Sequence, residues 1–143
     1  MEILKMAKAY FLIEPHYTDL DTYCTFTVGN NACRSSIDIY AADYDLHNVA
    51  KALVSDRQEK PYPEIEFDIG DEDVWMDLCF TVIPTESGKI LRTIFINDHC
   101  HCDDLDSYRS RIDLELTLED AAELSEEITK WLKNPDTNLI WNN

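Results

Sequence analysis

Seven residues, EIEFDIG (64–70), alternate acidic and apolar side chains without a break. Successive residues of a strand point to opposite faces, so Ile65, Phe67 and Ile69 share one side while Glu64, Glu66 and Asp68 share the other. The segment therefore reads as a strand with one face in a core and one in water. Segments of similar kind recur along the chain. Residues 3–13, TYCTFTVG (22–29), CRSSIDIYAA (33–42), VWMDLCFTVIP (74–84), KILRTIFIND (89–98) and YRSRIDLEL (108–116) are rich in β-branched and aromatic residues. Gly29-Asn30-Asn31 and Ser87-Gly88 supply turns between them.

Two stretches break this rhythm. Asp43 is placed to cap a helix whose apolar stripe is Leu46, Val49, Ala50, Leu53 and Val54, ending near Asp56 before Pro61-Tyr62-Pro63. Thr117-Leu118-Glu119-Asp120 opens a second helix in capping-box style, with Leu118, Ala121, Leu124, Ile128, Trp131 and Leu132 inward. Strands joined by tight turns pair antiparallel. The order therefore predicts an α+β fold, a mainly antiparallel sheet of about six to seven strands with two helices packed on one face. The 143 residues suit one domain, with 134–143 expected as a loose tail unless Trp141 docks.

Charge narrows the function classes. The chain carries 29 Asp and Glu against 12 Lys and Arg, a net charge of −17. Residues 1–60 hold nine acids and six bases, whereas 61–143 hold twenty acids and six bases. From 64 to 77 the acids Glu64, Glu66, Asp68, Asp71, Glu72, Asp73 and Asp77 occur with no base among them. Such a surface repels nucleic acid, so direct nucleic-acid binding is not expected. It attracts basic partners and speeds their encounter. The partner-binding candidates are accordingly Glu64, Glu66, Asp68, Asp71, Glu72, Asp73 and Asp77, with Trp75 and Tyr62 as aromatic anchors. Same-face acids about 6.6 Å apart on a strand also resemble a nucleic-acid backbone. Mimicry of nucleic acid is thus an alternative function. Self-association is expected to use the less charged surface of residues 1–60.

Catalytic and cofactor signatures are sparse. Gly29, Gly70 and Gly88 stand alone, which excludes a glycine-rich phosphate loop, and no serine lies in a nucleophile motif. No cofactor is expected. The one metal-like segment is DHCHCDD (98–104), where His99, His101, Cys100 and Cys102 are candidate ligands with Asp103, Asp104 or a distant Cys33 or Cys79. On an extended strand its imidazoles and thiols face opposite ways, and paired-Cys zinc spacing is missing. Five cysteines without a framework spacing point to reduced thiols in a cytoplasmic protein. Nothing in the sequence approaches a membrane span.

The alternation IEFDI, the strand DLCFTVI and the closing IDLELTLEDAAELSEEITKWL, within about 60–133, resemble bacterial immunity proteins paired with contact-dependent inhibition toxins. The resemblance is one of overall type. It implies a non-catalytic inhibitor that neutralises a basic toxin, commonly a nuclease, and it carries over no individual binding residue.

Overall fold

The computed structural model describes residues 8–17, 22–41, 43–56, 60–70, 75–98 and 108–143, the side chains of 17, 68, 69, 75, 98 and 108 excepted. The element order is β1 (Ala9–Tyr17), β2 (Thr22–Asn30), β3 (Arg34–Ala41), α1 (Asp43–Val54), β4 (Glu64–Gly70), β5 (Trp75–Pro84), β6 (Gly88–Asp98), β7 (Tyr108–Thr117), α2 (Leu118–Lys133) and β8 (Leu139–Asn142).

The α+β class holds, but the sheet divides. Four strands form one antiparallel sheet in the order β3-β2-β1-β8, and four form another in the order β4-β5-β6-β7. One sheet of six to seven strands was the expectation. The division falls at α1 and the Pro61-Tyr62-Pro63 segment, which separate β3 from β4 in the chain. The eighth strand comes from the segment expected to be loose. Leu139–Asn142 pairs antiparallel with β1, Phe11 opposite Trp141, and Trp141 is only 4% exposed. Two hydrogen bonds pin its end: the Asn143 amide donates to the Ala9 carbonyl at 3.2 Å, and the Ala9 amide donates to Asn143 Oδ1 at 2.8 Å.

Each sheet buries one face in a common core. Phe11, Ile13, Cys24, Phe26, Ile37 and Ile39 come from the first sheet, and Phe67, Leu78, Phe80, Leu91, Phe95, Ile112 and Leu114 from the second. Four phenylalanines join the sheets directly. Phe11 lies 5.9 Å from Phe80, Phe26 lies 5.7 Å from Phe67, and Phe67 lies 5.7 Å from Phe80, between ring centroids. Tilted and edge contacts at this range add to area burial.

Both helices add to the same core through Leu46, Val49, Ala50 and Leu53 of α1 and Ala121, Leu124, Ile128 and Trp131 of α2. The Ser125 hydroxyl donates to the Ala50 carbonyl at 2.7 Å, tying one helix to the other. At the head of α2, Thr117 Oγ1 accepts from the Asp120 amide while the Asp120 side chain accepts from the Thr117 amide, a complete capping box. Val54 and Leu118, expected inward, are exposed because each lies at a helix end, where the stripe runs off the core.

Lys89 lies on the core-facing side of β6 and is buried. Its ammonium donates to the Ser55 carbonyl at 2.6 Å, just past the end of α1, where helix carbonyls lack partners. Gly88, one residue earlier, has no alternative. A Cβ there would lie 2.0 Å from the Leu116 carbonyl oxygen on the neighbouring strand.

Candidate functional site

The core occupies the inner face of the second sheet, which leaves the outer face to present functional groups. The pairing aligns its residues in cross-strand rows. Glu66 lies opposite Cys79, which lies opposite Ile94, which lies opposite Arg111. One row along the strands, Glu64, Thr81, Arg92 and Asp113 align. In the other direction Asp68, Asp77, Ile96 and Arg109 align, and at the far end Ile83, Ile90 and Glu115.

Glu64, Glu66 and Cys79 converge on this face. Their carboxylate oxygens and thiol sulfur all lie within 4.8 Å of one another. Both glutamates are exposed, whereas Cys79 is 6% exposed beneath them. Burial pushes the Cys79 thiol up to about 12, with Glu64, Glu66 and Asp77 adding to the rise and a hydrogen bond with Thr81 opposing it. The carboxylates that hold the proton on sulfur create a negative potential, which also favours any other cation at that point.

Across the same sheet the charges are paired. Arg92 forks onto Asp113, Nε to Oδ1 at 3.0 Å and Nη2 to Oδ2 at 3.1 Å, and Arg111 Nη2 reaches Asp113 Oδ2 at 3.5 Å. Arg109, Arg111, Asp113 and Glu115, two residues apart along β7, share this outer face and give it both signs of charge. Arg92, which completes it from β6, was not singled out by the sequence.

The remaining sequence candidates fall as follows. Asp77 is on β5 and buried at 9% exposure. Asp68 and Trp75 belong to β4 and β5, but their side chains lie outside the description. Asp71, Glu72 and Asp73 lie outside the described residues, as do His99, Cys100, His101 and Cys102. Tyr62 is half-buried just before β4. The structure thus brings together Glu64, Glu66 and Asp77 from the acidic run. Cys79 joins them, a residue that sequence alone suggests only as a remote ligand for the 98–104 segment.

A second polar group occupies the outer face of the first sheet. Thr25 Oγ1 donates to the Asp38 carboxylate, and His16 Nε2 lies 2.6 Å from the same hydroxyl oxygen. With its one hydrogen directed at Asp38, the hydroxyl must accept from His16, which sets Nε2 as the protonated nitrogen. The order is carboxylate, hydroxyl, imidazole, and it leaves the imidazole no free lone pair with which to activate Thr25 as a nucleophile. Elsewhere a cleft of about 570 Å³ is lined by Lys8, Thr85, Ser87, Lys89, Glu115 and Asp120 among others. Its buried cation is held by the Ser55 carbonyl.

No protein-family model, curated protein or solved structure matches the chain.

Proposed function

We propose that this chain is a non-catalytic binding protein for a positively charged ligand, received on the outer face of the second sheet at the β4 edge. The observation that carries the reading is the convergence of Glu64, Glu66 and Cys79 within 4.8 Å, and on that observation the ligand is a metal ion. Two carboxylates and a thiolate make a mixed oxygen and sulfur donor set, which suits zinc better than the harder magnesium or calcium. Bound donors stand about 2.0–2.3 Å from zinc, so the three would draw in to roughly 3.5 Å apart. Exposed glutamates achieve that by changing rotamer. Cys79 must lose its proton to bind, so affinity rises with pH. The proposed site is on the β4–β5 pair, not in the 98–104 segment.

Thermal unfolding with added zinc, and again with a chelator, tests this reading. Zinc that binds the folded chain alone raises the midpoint in proportion to the logarithm of its concentration. An unchanged midpoint, with no zinc retained after dialysis, contradicts it.

A second reading takes a basic protein as the ligand, in the manner of a toxin held by an immunity protein. Its support is the excess of acids in residues 61–143 and the exposure of Glu64 and Glu66 on an edge strand. Matched charge would speed association and confer specificity. Replacing Glu66, Asp68, Asp71 and Asp73 by amides should then slow partner association more than replacing Glu119, Glu123, Glu126 and Glu127 on α2. Capture of a protein encoded beside the gene supplies the partner for that comparison. Equal effects of the two sets would reduce the attraction to bulk charge.

A further inference from the structure

A cleft of about 280 Å³ lies where β3, the edge of the first sheet, meets the β5–β6 pair of the second, lined by Tyr23, Ser36, Ile37, Asp38, Met76 and Asn97. Met76 and Asn97 stand opposite each other on the core-facing side, two residues beyond the buried pair Leu78 and Phe95, where the packed interior ends. Two polar groups of this cleft have capacity to spare. Asn97 Oδ1 is buried and makes no hydrogen bond among the described residues, a costly state for an amide oxygen. Asp38 accepts from Thr25 through Oδ1, and no partner among the described residues takes its Oδ2.

From these two oxygens we infer that the cleft binds a small organic cation, a primary ammonium on a short alkyl stem. Asp38 is the one charged group in the lining, which holds no lysine, arginine or histidine, so an anion is repelled and a cation attracted. An ammonium has three donors and no acceptor, which suits a carboxylate, an amide oxygen and the hydroxyls of Ser36 and Tyr23. Met76 and Ile37 offer apolar surface to the stem. The Tyr23 ring adds a π system that attracts cations, braced by Tyr40 at 4.9 Å and His16 at 5.6 Å between centroids. Thr25, bonded between His16 and Asp38, holds the carboxylate in place before any ligand arrives.

Volume limits the ligand further. The cleft falls just below the range of about 300–1,000 Å³ for drug-sized sites, so it suits a small molecule or a single side chain. A bare metal ion would leave its apolar side unfilled. A free alkylamine and the side chain of a lysine share the required chemistry. Glu64, Glu66 and Cys79 are not among the lining residues, so the inference stands apart from the metal reading.

Titration of the whole chain with n-butylammonium chloride, followed by NMR in chelator and about 0.15 M salt, tests the inference. Saturable shifts centred on Tyr23, Ile37, Met76 and Asn97 are expected, with a Kd of roughly 1 mM or tighter. n-Butanol, the same stem without the charge, should bind at least about tenfold more weakly, and Asp38→Asn should weaken butylammonium by a similar factor. Glu119→Gln removes an equal charge from α2 and should leave the Kd unchanged. Asn97→Leu removes the buried oxygen at similar volume and should also weaken binding, and it serves alone if Asp38→Asn does not fold. Shifts that never saturate, that spread evenly over the exposed acids or that centre on Glu64 and Glu66 overturn the inference. So does equal binding of butanol, or a folded Asp38→Asn or Asn97→Leu that keeps full affinity. Nα-acetyl-lysine amide separates the two sources: tighter binding than butylammonium assigns the cleft to a lysine side chain, weaker binding to a free amine, and either supports the site.

Discussion

Glu66 and Cys79 stand directly opposite each other across the β4–β5 pair, an exposed carboxylate above a buried thiol. The pairing places a proton-holding sulfur under two negative charges. Its first consequence concerns alkaline stability.

The Cys24 and Cys79 thiols are both raised from 9.0 to about 12, Cys24 by burial and then Asp38, Cys79 by burial and then the neighbouring carboxylates. The folded state therefore holds these protons more tightly than the unfolded state. Their contribution is complete below pH 9 and is lost as pH rises towards about 12. Burial lowers the Lys89 ammonium, which acts in the opposite direction below its ordinary 10.5. With two thiols against one lysine, urea midpoints should fall between pH 8.5 and pH 11. Cys24→Ala should start less stable and show a shallower fall.

Gly88→Ala is expected to destabilise the chain by about 2 kcal/mol or more, in the range of overpacked cores. The clash is with the backbone carbonyl of Leu116, which cannot move aside as a side-chain tip does. Chemical denaturation measures it.

Removing the last strand should be costly although it is short. Trp141→Ala empties a core site next to Phe11 and should lower stability by about 3–5 kcal/mol. Truncation after Asn134 should do at least as much damage in the same denaturation assay.

Lys89→Met keeps most of the buried stem but removes the ammonium's hydrogen bond to the Ser55 carbonyl. A loss of about 1–2 kcal/mol is expected, accompanied by faster hydrogen exchange in the last turn of α1.

These positions differ in how visible they are in the sequence. The outward side of Glu64 and Glu66 follows from alternation alone, and the Thr117–Asp120 capping box from four adjacent residues. The partnership of Glu66 with Cys79 requires the register of a hairpin, which depends on where β4 stops and β5 starts. Reading β5 from Val74 rather than Trp75 leaves that register open, and a slip of one residue turns every side chain to the other face. Whether eight strands form one sheet or two is decided by which edges meet, a non-local matter on which alternation is silent. LIWN is too short to declare itself a strand, and becomes one because β1 offers it an edge. Lys89 falls on the core-facing side of its strand by parity, yet only the nearby end of α1 explains why a cation is tolerated there.

The metal reading is tested most directly by cobalt(II), whose bond to a thiolate gives a near-ultraviolet charge-transfer band. The wild type should show that band on titration at pH 8. Cys79→Ser should abolish it, and Glu66→Gln should weaken binding at least about tenfold, in line with the loss of one ligand group. Cys100→Ser and Cys102→Ser should leave it intact. The contrary result is no band in the wild type, or a band that survives Cys79→Ser and vanishes with Cys100→Ser or Cys102→Ser. Either would remove the metal from the β4–β5 pair.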